Sequence, residues 1–151
     1  MNRHPRAKRL RLVVDLAEKA EQQALAEWGR LQQKLQQEEQ QKQQLDDYVG
    51  EYQRGISMPS SRSLRGGDIH NAMGFISQIK QALSQQQQQI ALLQQQVEQA
   101  QQVYVEQHAK VKALYNLLEK LDQEFDQQQD KQAQRLADEW ANRAAFQARN
   151  R

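Results

Sequence analysis

Residues 69–125 read IHNAMGFISQIKQALSQQQQQIALLQQQVEQAQQVYVEQHAKVKALYNLLEKLDQEF, and every seventh residue is apolar or aromatic. The series is Ile69, Ile76, Leu83, Ile90, Val97, Tyr104, Val111, Leu118 and Phe125, nine in a row without a miss. Three positions further on lie Ala72, Ile79, Gln86, Leu93, Ala100, Gln107, Leu114, Leu121 and Gln128. Alternating steps of three and four keep one narrow stripe facing a partner helix, so this stretch predicts a coiled coil. The N-terminal segment carries the same alternation through Leu10, Val14, Ala17, Glu21, Ala24, Trp28, Leu31, Leu35, Glu38, Lys42, Leu45, Val49 and Tyr52. Ten of those thirteen sites are apolar or aromatic.

Helix breakers fall almost entirely between the two stripes. Gly55, Pro59, Gly66 and Gly67, with Ser57, Ser60, Ser61 and Ser63, mark a loop over about 54–67. One coiled-coil domain over 1–151 follows, with helix one over about 5–53 and helix two over about 68–147. Pro5 suits a first helical turn, where its missing N–H has no bond to lose. Asp68 suits the cap of helix two. The expected fold is all-α: a long antiparallel two-helix coiled-coil hairpin with an overhanging C-terminal helix. If Tyr52 lies opposite Ile69, then Trp28 faces Leu93, and Ala17 and Glu21 approach Tyr104 and Ala100. Glu38 and Lys42 then lie across from Leu83 and Ile79.

Helix one spans roughly 70 Å and helix two roughly 120 Å at 1.5 Å per residue. On that register everything after about Leu114 lacks an intrachain partner, although Leu114, Leu117, Leu118, Leu121 and Phe125 are apolar. An unpaired apolar stripe implies another chain. Beyond Phe125 the phase slips by one residue, through Ala133, Leu136, Trp140 and Ala144, as in a helix released from supercoiling.

Composition narrows the function. Of 151 residues, 32 are Gln and only 31 are Leu, Ile, Val or Phe, too few large apolar side chains for a thick core. Most Gln falls outside the seam, where it makes a solvated helix face; an aggregating tract is the competing explanation. The 21 basic and 19 acidic residues nearly cancel, which argues against charge-driven disorder. Absence of Cys excludes disulfides, thiolate metal sites and a Cys nucleophile. No apolar run reaches membrane-spanning length, and no signal-peptide core follows the basic start. A soluble cytoplasmic chain is expected.

Catalytic chemistry finds no support. His4, His70 and His108 are scattered without metal-ligand spacing, and Gly66-Gly67 lacks the companions of a phosphate loop. No catalytic residue, metal or cofactor is expected. The Arg residues near both termini fit acidic protein partners as carboxylate ligands. Nucleic acid fits them less well, because the aromatics do not interleave with them as a stacking platform would. Tyr48, Tyr52 and Phe75 are expected to cluster near the hairpin tip, either as a small cap core or as a docking patch. Trp140 and Phe146 lean toward docking. A homodimeric structural scaffold remains the alternative to a monomeric hairpin.

Several segments also carry a family resemblance: Asp15-Leu16-Ala17-Glu18-Lys19, Asp47-Tyr48-Val49-Gly50-Glu51-Tyr52, Phe75-Ile76, and Asp138-Glu139-Trp140-Ala141-Asn142-Arg143-Ala144-Ala145. In this order and spacing the chain resembles the FliJ family, small coiled-coil components of the bacterial flagellar type III export apparatus. The high Gln content and the strongly basic start depart from the family pattern. The resemblance implies a non-enzymatic stalk, monomeric when isolated, at the cytoplasmic face of the inner membrane, associated with the membrane only through partners. Those partners would be the export ATPase FliI, the export-gate protein FlhA and export chaperones, and no nucleic acid. It further implies that Leu10, Val14, Leu136, Trp140 and Arg143 enter the ATPase ring. Gln41, Leu45, Tyr48, Tyr52, Phe75 and Ile79 would meet the export gate.

Overall fold

The structure, a computed structural model, describes residues 5–57 and 66–150. Arg3, His4, Arg151 and the expected turn residues Pro59, Ser60, Ser61 and Ser63 lie outside the described residues. Two α-helices make up the described chain, α1 (Pro5–Ser57, 53 residues) and α2 (Gly66–Arg149, 84 residues). They form an antiparallel hairpin in which partner numbers on α2 fall as those on α1 rise. Neither Gly29 nor Gly74 interrupts its helix, and no described residue has a positive φ.

Contacts divide the chain into two compact units, Met1–Gln22 with Val105–Arg151, and Gln23–Tyr104. Within the second unit the stripe is sealed by Ala24, Leu31 and Val49 from α1 against Ile76, Ile90 and Leu93 from α2. Trp28, Leu35, Leu45, Ile79, Leu83, Val97 and Tyr104 are half-buried along the same line. Within the first unit Ala7, Val14, Ala17 and Val111 are buried, and Leu10, Leu114, Leu118, Leu121 and Phe125 are half-buried. Small alanines on one helix let the backbone of the other come close, which is how a thin stripe excludes water. Each fully buried Leu or Ile side chain contributes about 1.5–3 kcal/mol; the half-buried ones contribute less.

The seam is the expected one, but its register is shifted by about one heptad. Trp28 stacks on Tyr104, centroids 5.6 Å apart, rather than facing Leu93. Glu38 accepts from Gln86 Nε2 at 3.2 Å instead of lying across from Leu83. Lys42 donates to Gln87 rather than meeting Ile79, and Glu21 lies 3.3 Å from His108 Nδ1 rather than beside Ala100. Tyr52 packs on Phe75, not Ile69, and is exposed rather than part of the seam. A slip of one heptad keeps apolar opposite apolar, so the apolar pattern cannot choose between the two registers. The polar seam residues choose: in the observed register Glu21, Glu38 and Lys42 each find a polar partner.

A second correction concerns the C-terminal region. Leu114, Leu118, Leu121 and Phe125 are half-buried, and Arg11 pairs with Asp122 at 3.7 Å, so the seam continues eleven residues beyond Leu114. Among the described residues there is no separate C-terminal helix, because α2 is continuous through Arg149. From Asp126 to Asn150 every residue is exposed.

Candidate partner-binding surfaces

Near one end of the second unit three aromatic rings meet across the helix pair. Tyr48 and Tyr52 are one turn apart on α1, which places their rings 5.3 Å centroid to centroid. Phe75 on α2 closes the triangle, edge-on to Tyr48 at 6.3 Å and tilted against Tyr52 at 5.5 Å. The rings nonetheless remain 44%, 38% and 41% exposed. A cap core would hide them, whereas these rings pack on one another and still leave ring surface open. Leu45 and Ile79 are half-buried beneath it in the seam, and Gln41 accepts weakly from Gln86 Nε2 at 3.5 Å. Of the six residues named for this surface, the three aromatics carry its exposed apolar area.

The other candidate set divides differently. Val14 is 3% exposed and Leu10 is half-buried, so both belong to the seam. Leu136, Trp140 and Arg143 are exposed, with Leu136 at 58% and Trp140 at 69%. Leu136 and Trp140 are one turn apart and share a face with Ala133 and Ala144. Phe146, 65% exposed, points about 120° away from Trp140 at 100° per residue. This segment therefore offers one apolar stripe and a separate ring.

Sequence reasoning missed two grooves. His108 and Glu21 meet in a shallow groove that Glu18, Lys112, Tyr115 and Asn116 also line; the signal was available only once the register was known. Arg6, Arg9, Leu10, Val13, Leu117 and Leu121 line another groove, which the basic start and the exposed valine at a flanking position foreshadow. Among the described residues no three His, Asp or Glu side chains gather to hold a metal, and no helix is long and apolar enough to cross a membrane.

No curated relative and no solved structure matches the chain. The family model described as flagellar FliJ protein matches residues 6–150, which takes in both helices and both exposed aromatic regions. The chain therefore belongs to the FliJ family, non-enzymatic components of the flagellar export apparatus.

Proposed function

We propose that this chain is a cytoplasmic coupling stalk of the type III export apparatus, acting at the inner face of the membrane through its partners. The Tyr48–Tyr52–Phe75 cluster, seated on Gln41, Leu45 and Ile79, meets the export gate FlhA. The exposed C-terminal segment, overhanging the seam after Phe125, engages the ring of the ATPase FliI through Leu136, Trp140 and Arg143. Leu10 and Val14 support that engagement from the seam by holding the helix pair together. Export chaperones are cycled by the same stalk.

The observation that carries this proposal is the exposed run from Asp126 to Asn150, which bears two large aromatics and no covering partner of its own. Exposed Trp is expensive to leave in water and is a frequent anchor of interfaces. A double substitution, Trp140→Ala with Phe146→Ala, tests it. Binding to the ATPase should weaken at least about tenfold, which is 1.4 kcal/mol, while far-UV circular dichroism stays unchanged. Undiminished ATPase binding at unchanged helicity would sink the ring-docking role.

A further inference from the structure

A third surface, apart from the tip cluster and the C-terminal stripe, combines apolar exposure with an excess of positive charge. On α1, Arg6, Arg9, Val13 and Leu16 succeed one another at steps of three, four and three, forming a stripe beside the seam. On α2, Lys110, Leu117 and Lys120 share one face by the same spacing. In the first unit these faces adjoin, and Leu10, Val13, Leu117 and Leu121 floor a groove with Arg6 and Arg9 at its lip. The floor is open: Val13 is 45% exposed, Leu117 46%, and Leu16 beside it 67%. Four cations border the two stripes against two carboxylates, Glu106 four residues before Lys110 and Glu124 one heptad beyond Leu117, so positive charge is in excess.

We infer that this groove receives an acidic amphipathic helix from a partner protein, forming a local three-helix packing. Apolar side chains at every third or fourth position of that helix cover Val13, Leu117 and Leu121. Its flanking Asp and Glu side chains meet Arg9 and Lys120 as charge-assisted hydrogen bonds. The concave line between two packed helices fits the ridge of a third helix, whereas a bilayer offers a flat surface. A second copy of this chain is a poor occupant. Its own exposed helix over 126–149 has four acidic and four basic residues, and so brings no net charge to a basic groove. The inference rests on this groove alone and not on the export assignment.

The test uses the full chain and a fluorescent synthetic helical peptide with a leucine stripe flanked by glutamates. The expected result is saturable binding that weakens as salt rises and falls about tenfold or more when the glutamates become glutamines. The double variant Arg9→Glu, Lys120→Glu, whose sites are both exposed, should lose a similar factor with helicity intact. Val13→Asp should lose it through the floor. Failure of the glutamate peptide to bind, equal binding of both peptides, or full binding by the charge-reversed variant overturns the proposal. Charge-dependent flotation of the chain with anionic phosphatidylglycerol vesicles, without peptide binding, also overturns it and makes the surface a membrane face.

Discussion

Up to Phe125, α2 buries or half-buries a residue at every third or fourth position; from Asp126 onward every residue of the same helix is exposed. The two stretches do not differ in kind of residue. Both are rich in Gln, both carry spaced apolar side chains, and both are helical throughout. They differ in whether the apolar side chains are covered. Helix formation and apolar periodicity are therefore local properties of this sequence, while burial belongs to the pair. It follows that stability should reside before Phe125 and unspent apolar surface after it.

The largest effect expected from that contrast is at Ile90, which is 2% exposed. Ile90→Ala should cost about 2–5 kcal/mol in a urea melt, whereas Trp140→Ala should change stability by no more than about 0.5 kcal/mol. Comparable losses at both sites would break the comparison. Gln86 sharpens it from within the seam. Its Nε2 bonds Glu38 at 3.2 Å and the Glu38 carbonyl at 3.3 Å, but its Oε1 is buried without a partner. Gln86→Leu should therefore stabilise by about 1 kcal/mol while weakening the preference for this register, as removal of a polar seam residue does in coiled coils. Engineered cysteine pairs, in a chain that otherwise has none, would report the register; loss of stability on the leucine substitution would contradict the account.

The smallest effect is expected on the solvated face. The bidentate hydrogen bonds from Arg30, at 2.7 and 3.0 Å, hold the Glu27 carboxyl below the usual carboxylate range. Because the folded value is the lower one, the pair's support is present above the ordinary Glu range and is lost as pH falls through the lowered value. Both groups are fully exposed, so little stability is at stake. Arg30→Gln should move the Glu27 carboxyl titration, followed by nuclear magnetic resonance, upward toward the ordinary range. An unmoved titration would mean that the pair is not populated in solution.

The seam was legible from the sequence almost residue by residue, because helical spacing fixes which side chains share a face. Register was not, since apolar matching repeats every heptad and only Glu21, Glu38 and Lys42 break the degeneracy. That error carried forward: placing the pairing one heptad too low made Leu118 and Phe125 look unpartnered. The aromatic triangle was legible because Tyr48 and Phe75 flank the expected stripe and Tyr52 ends it, all three near the expected chain reversal. The groove at Val13 and Leu117 was not, because its two halves are more than a hundred residues apart in sequence and meet only in the correct register.

Trp28 Nε1 and Gln86 Oε1 mark where the seam tolerates imperfect polar satisfaction; the exposed end of α2 has the opposite character. Beyond Phe125 each backbone N–H has its helical bond, but every side chain is exposed and adds no packing to the cost of opening. Most of a protein helix's stability comes from tertiary packing of its apolar face, so amide protection should step down sharply across that residue. A binding partner would then be supplying folding free energy as well as contacts. Attachment through such a segment is readily reversed, since release and local unwinding can proceed together, a turn at a time.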